Sequence, residues 1–314
     1  MRPALHTILK LAPVLLPFLL LFAGGLALAV AQSLGWWLPF PHQGSAGDAY
    51  RQLLTPHMAA SFLLSLRVGF VSAAASVALG TLLAVGLWRM PSRMQQMGVV
   101  YKIPLILPHI AVAFIVLVFF ARSGVLSAAA YHAGLISGQE EFPSILFGGS
   151  GSGMIMAYVY KQTPFVILMA YASLKRLDPR MLETARMLGA GMGMQWRRVL
   201  LPHLAPVLHT SFIILFLHAF GAFEIPFMLG ESRPAMPGIE AYSLYFQRDL
   251  SHRPAAMAIL VCMFLFSLAF IVFYTRAARR FSVRGRPYAP AAAKGGPPSV
   301  HNAAPHIPLT ERKL

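Results

Sequence analysis

Acidic residues are scarce in this chain, with 10 Asp and Glu against 26 Lys and Arg in 314 residues. Charged residues of both signs reach only 11%, where soluble domains carry about 25%. A soluble globular fold is therefore not expected. The cation excess does not point to nucleic acid, because a nucleic-acid binder clusters its basic residues on one face and here they punctuate apolar blocks. The single cysteine, Cys262, excludes an internal disulfide framework and a cysteine-based zinc site, and within an apolar block it reads as packing. The chain contains no Gly-x-x-x-x-Gly-Lys-Ser/Thr phosphate loop and no His-Glu-x-x-His pair, so neither a nucleotide hydrolase nor a zinc protease is expected. Gly148-Gly149-Ser150-Gly151 matches the short string of intramembrane serine proteases, with His209 or His218 downstream. A glycine- and serine-rich segment produces that string readily, and no catalytic residue is assigned.

What the chain does hold is apolar: 57% hydrophobic residues and a mean hydropathy of +0.63. A membrane-crossing helix needs about 20 such residues, at about 1.5 Å per residue across about 30 Å of hydrocarbon. Six stretches qualify: 11–32, 63–88, 103–121, 153–174, 205–229 and 256–275. Their continuity argues against alternating strands. The expectation is an all-α polytopic membrane protein with six transmembrane helices. The start imitates a secretory signal, with Arg2, Lys10 and Ala29-Val30-Ala31 around an apolar run. That run exceeds a signal core of about 7–15 residues, so 1–34 reads as an uncleaved first helix.

Orientation follows from the cations, which are retained on the cytoplasmic side of short loops. Of 26 Lys and Arg, 19 lie before the first stretch, after the second, after the fourth or after the sixth, which places both termini in the cytoplasm. The Pro-, Ala- and Gly-rich basic tail, 284–314, reads as disordered and cytoplasmic, and its cations suit a solvated flank better than a lipid-headgroup site.

The segment 175–203 is the one long loop on the cation-rich side. Asp178-Pro179 reads as an N-cap with proline at the first helical position, and Gly189 with Gly191 supplies a stop. Between them Met181, Leu182, Ala185 and Leu188 recur at three- and four-residue intervals. So short an amphipathic helix is marginal alone and needs a partner surface. At these residues the chain resembles the EAA loop of permease subunits from binding-protein-dependent ABC importers, over 177–202. Their pattern is Glu-Ala-Ala, three residues, Gly, nine residues, Ile, one residue, Leu-Pro. Here stand Glu183-Thr184-Ala185, Gly189 and Val199-Leu200-Leu201-Pro202, with both spacers intact and Thr184 and Val199 as departures. Lys161-Gln162-Thr163-Pro164-Phe165, Leu177-Asp178-Pro179 and Leu188-Gly189-Ala190 also agree with family habits.

The resemblance implies a type I importer permease fold over 61–276, with 177–202 as a cytoplasmic coupling helix docked on a separate ATPase through Glu183, Thr184, Ala185, Gly189 and Pro202. It also implies a second permease subunit, a periplasmic substrate-binding protein and a location in the bacterial inner membrane. No cofactor is expected on this chain; ATP and Mg2+ belong to the partner ATPase. The segments 221–230 and 249–257 look more like the polyamine, ferric-iron and thiamine branch than the sugar branch. The competing class is a self-contained secondary transporter or intramembrane enzyme, although six spans and one intramembrane carboxylate are few for a proton-driven carrier.

Ionisable groups inside a bilayer are costly and count as functional candidates. Lys161 with Thr163 in the fourth stretch, and Phe223 with Glu224 in the fifth, are candidates for a translocation path; a satisfied interhelical pair between Lys161 and Glu224 is the structural alternative. Arg67 is expected to snorkel outward. His109, His203 and His209 near helix ends are given no role.

Overall fold

The computed structural model describes residues 2–38, 44–91, 100–230 and 233–282. The tail 284–314 lies outside the described residues. Helices dominate, and no strand occurs among the described residues. The long ones are α1 (Arg2–Ser33), α3 (Pro56–Arg89), α7 (Ser152–Leu174), α10 (Leu201–Phe220) and α13 (Arg253–Ser282). Between them lie α2 (Asp48–Leu53), α4 (Ile103–Ile106), α5 (His109–Phe120), α6 (Val125–His132), α8 (Pro179–Met187), α9 (Met192–Gln195), α11 (Glu224–Leu229) and α12 (Pro237–Tyr245).

Helices α3, α7 and α10 pack against one another at the centre, α5 lies on α7, and α1 sits outside, touching α13. The central contact rests on small residues. Ser61, Ser65, Gly69, Ser72, Ser76, Gly80 and Ala84 recur every three or four positions along α3, and all are buried. Lipid is as apolar as leucine, so helices in a bilayer associate by close approach and interhelical hydrogen bonds, and small residues permit both. The Ser65 hydroxyl donates to the Phe220 carbonyl at 2.7 Å, and the Gln162 amide donates to the Leu215 carbonyl at 3.3 Å.

Three expectations about the spans are corrected. Five helical segments among the described residues, not six, are long and apolar enough to cross a membrane by length and composition: Lys10–Ser33, Pro56–Arg89, His109–His132, Met192–Phe220 and Leu250–Ala278. Helix α7 has the length, 23 residues, but Lys161, Gln162, Thr163 and Pro164 interrupt its apolar surface. It tolerates them because protein surrounds it: Lys161, Gln162 and Pro164 are buried with Ala157, Tyr158 and Val166. The stretch 103–121 divides into α4 and α5, since Pro108 pushes Leu107 out of the helical region, to ψ 137°. The stretch 205–229 divides into α10 and α11. The ring of Pro226 would clash with the Ala222 carbonyl of a continuous helix, and the chain leaves helical geometry at Gly221–Phe223.

Candidate coupling loop and transmembrane cavity

The loop between α7 and α10 is built from backbone chemistry. The Asp178 carboxylate accepts from the Arg180 amide at 3.0 Å, capping α8 with Pro179 in its first turn. At the other end Gly189 adopts φ +78°. Its amide donates to the Arg186 carbonyl at 2.9 Å, and the Ala190 amide donates to Ala185 at 2.9 Å, the paired bonds of a Schellman closure. Gln195 is buried, and its side-chain amide donates to the Ala190 carbonyl at 2.8 Å, tying the far side of the turn. Trp196–Leu200 forms one wide π-type turn before α10. Pro202 in the first turn of α10 has no amide to donate to the Arg198 carbonyl, which favours that widening.

The amphipathic stripe read in α8 is split. Leu182 is buried in a cluster with Leu174, Leu177, Leu200 and Leu204, and Ala185 is half-buried. Met181 and Leu188, expected on the same stripe, face outward together with Met187, Met192 and Met194; Met187 is 87% and Leu188 82% exposed. One leucine thus anchors α8 itself to the bundle, beside Leu177 and Leu200 at the ends of the loop, while five apolar side chains stand free. Glu183 and Thr184 are exposed too, and the Thr184 hydroxyl donates to the Arg180 carbonyl of its own helix at 2.8 Å. His203 meets the Ser173 carbonyl at 3.0 Å, joining the ends of α7 and α10 behind the loop.

The four intramembrane candidates do not form one group. Buried Lys161 directs its ammonium to the carbonyls of Pro104 at 2.8 Å, Leu105 at 3.2 Å and Leu107, around the α4 C-terminus and the break before α5. The Thr163 hydroxyl donates to Val159 within α7 at 2.6 Å. Glu224 pairs with His109, Oε2 to Nδ1 at 3.3 Å, so the direct Lys161–Glu224 pair is not formed. The break at Leu107–Pro108 leaves carbonyls that a lysine can satisfy, and that demand draws the cation away from the carboxylate.

Lys161→Met is accordingly expected to lower stability by about 2 kcal/mol or more, because hydrogen bonds to a charged group contribute roughly 1.5–3 kcal/mol each. The midpoint of unfolding in a mixed-micelle SDS titration reads this, and an unchanged midpoint would contradict the capping role.

Phe223 and Glu224 line a cavity of about 420 Å3 with His109, Tyr158, Leu217, His218, Gly221, Ala222 and Ile225. His109 and His218 face each other, Nε2 to Nε2 at 3.2 Å. Tyr158 is fully buried, and its hydroxyl has no hydrogen-bond partner among the described residues. Behind Phe223 the rings of Phe227 and Tyr242 pack at 5.3 and 4.9 Å. Sequence reasoning missed His109, Tyr158 and His218 as a group: they stand in three helices, and no spacing motif links them.

Residues 76–283 match the family described as binding-protein-dependent transport system inner membrane component. The molybdenum transport system permease protein ModB of Azotobacter vinelandii is 26% identical over 229 residues, covering 73% of this chain and 97% of ModB. The spermidine/putrescine transport system permease protein PotB of Escherichia coli K12 is 26% identical over 192 residues, covering 61% of this chain and 68% of PotB. Among solved structures, a chain of a bacterial ABC transporter involved in the import of the acidic polysaccharide alginate superposes with a TM-score of 0.72 at 18% identity, over 89% of this chain and 98% of that one. A chain of the MetNI methionine ABC transporter in an inward-facing conformation superposes at 0.53 and 17% identity, over 71% and 95%.

Proposed function

Since the chain belongs to the binding-protein-dependent transport system inner membrane component family and is thus a multi-pass permease subunit of an ABC importer, we propose that loop 177–202 couples it to a separate ATPase and that the Glu224 cavity lies on the translocation path. The observation that carries the coupling is the exposed apolar cap of Met181 and Met187 on α8, Leu188 just past its end, and Met192 and Met194 on α9, with α8 closed at both ends. Methionine adapts its shape to a partner groove, and a cap of this kind left in water is unfavourable. Glu183, Thr184 and Gly189 border it; Ala185 and Pro202 shape it from within.

The proposed cycle uses the packing behind that cap. ATP with Mg2+, bound between two ATPases, draws them together and pulls the α8 helices of two paired permeases with them. Leu182, seated among Leu174, Leu177, Leu200 and Leu204, passes the displacement to the adjoining ends of α7 and α10. Those helices supply Tyr158 and His218 to the cavity, so movement at the loop changes its shape. Hydrolysis resets the pair, and a periplasmic binding protein delivers solute from the other side. The carboxylate of Glu224 and the Phe223 ring suit a small cationic solute, in keeping with the resemblance to the polyamine, ferric-iron and thiamine branch; the similarity to ModB is the counterweight, but no lysine or arginine among the described residues lines the cavity.

The test is reconstitution. Vesicles holding this chain with its permease partner and the ATPase, supplied with binding protein and loaded with ATP, are expected to accumulate solute, and the chain alone to accumulate none. Gradient-driven uptake by the chain alone would establish the secondary-carrier reading instead. Topology is a separate prediction: reporter fusions at Gly189 and Arg286 are expected to report cytoplasm, and those at Gly138 and Gly238 periplasm. A periplasmic signal at Gly189 would remove the coupling role.

A further inference from the structure

The ring of His109 stands between a carboxylate and a second imidazole. Glu224 Oε2 lies 3.3 Å from His109 Nδ1, and a carboxylate only accepts, so its charge favours the Nδ1–H tautomer of His109, in which Nε2 carries a lone pair. That lone pair faces His218 Nε2 at 3.2 Å. A neutral His218 donating from Nε2 satisfies this contact alone, yet it leaves the buried Tyr158 hydroxyl, which lines the same cavity, without a partner.

The geometry points to a second occupant. A metal ion about 2.0–2.1 Å from two imidazole nitrogens held 3.2 Å apart subtends about 100° at the metal, near the tetrahedral angle. A carboxylate on the remote nitrogen of a ligating histidine is the usual outer-shell arrangement, fixing the tautomer and raising ligand basicity. We propose that His109 and His218 bind a divalent transition-metal ion through their Nε2 atoms, with Glu224 orienting His109 and metal-bound water filling the remaining positions within reach of the Tyr158 hydroxyl.

On binding, His218 keeps one proton, moved from Nε2 to Nδ1 through solvent, so both ligands are neutral imidazoles. Two imidazoles select zinc, copper or nickel over magnesium or calcium. No group of three or more His, Cys, Asp or Glu side chains among the described residues is arranged to hold a metal, so the protein supplies two direct ligands and the affinity is modest. The ion bridges α5 to α10 beside the α10–α11 break. Its binding is a property of this chain and does not depend on coupling to an ATPase.

Copper(II) is the probe, added at one equivalent to the full-length chain in lipid nanodiscs and read by electron paramagnetic resonance. The chain has 11 histidines, so variants carry the assignment. The wild type is expected to show hyperfine lines from two imidazole nitrogens, lost in His109→Gln and in His218→Gln, each with at least tenfold weaker binding. Glu224→Ala, at a carboxylate more than half exposed, is expected to keep both lines and to weaken binding by roughly 10–100-fold. Spectra and affinity unchanged in the histidine variants would assign the copper to adventitious histidines elsewhere and overturn the proposal. Should a histidine variant not be recovered folded, unchanged affinity in Glu224→Ala overturns it equally.

Discussion

Gly189→Asp is expected to abolish ATP-driven uptake and to strip the ATPase from the purified complex, while the chain still inserts in the membrane. A Cβ at Gly189 meets nothing within 4 Å, so no clash inside the chain drives the loss. The residue sits at φ +78°, where most side chains cost roughly 1–2 kcal/mol and aspartate less than most, because its short side chain bonds locally. Helix α8, held by Asp178 at one end and Leu182 beneath, is expected to survive. What changes is the surface: a carboxylate enters the apolar cap beside Leu188, and burying it in a groove without a partner costs several kcal/mol. Gly189→Asn separates the two causes, since it keeps the left-handed turn without charge and is expected to retain part of the coupling. Glu183→Ala acts in the same direction but weakly, an exposed ion pair contributing under about 1 kcal/mol. Pull-down of the ATPase beside uptake in vesicles reads both steps; normal binding and uptake in Gly189→Asp would end the coupling assignment.

Gly80→Leu is expected to prevent recovery of folded protein. A Cβ at Gly80 falls 2.5 Å from Val166 Cβ, 2.8 Å from Val166 Cγ1 and 3.0 Å from the Thr163 carbonyl. The closest of these does not yield by a rotamer change, since Val166 Cβ is fixed by the backbone; the Thr163 carbonyl is backbone itself, and Val166 Cγ1 sits on a side chain stiff at χ1. The helices must separate, and with them the small-residue seam from Ser61 to Ala84 opens. Overpacking typically costs about 1–3 kcal/mol, and prying apart the central pair is expected to exceed that for leucine and to fall within it for Gly80→Ala. Gly86→Ala on the same helix is the control, because a Cβ there meets nothing within 4 Å. Val166→Ala is expected to recover part of the Gly80→Ala loss. The folded yield of Gly80→Leu, beside SDS-unfolding midpoints for Gly80→Ala, Gly86→Ala and the Gly80→Ala/Val166→Ala double variant, measures the effect, and equal midpoints for Gly80→Ala and Gly86→Ala would show that the seam is not closely packed.

The sequence by itself determined features whose causes lie within a few residues. Apolar run lengths located most of the helices; Asp178 and Gly189 marked the ends of α8 through bonds reaching two to five positions; Pro108 and Pro226 carry the breaks that divide two stretches, a signal present in the sequence but outweighed there by the length of the apolar run. Tertiary structure alone decided the rest. The partner of Lys161 is the frayed end of α4, more than fifty positions away, and the carboxylate of Glu224 turns to His109 instead. Which half of the α8 stripe is buried depended on Leu174, Leu177, Leu200 and Leu204 converging beneath Leu182, and the polar middle of α7 is tolerated only because α3, α4 and α10 enclose it. The His109, His218 and Tyr158 cluster had no signature at all. Backbone geometry is set by hydrogen bonds between near neighbours and is written locally, whereas meetings between side chains on different helices depend on the approach and rotation of those helices, which the small residues of α3 set only once the bundle closes.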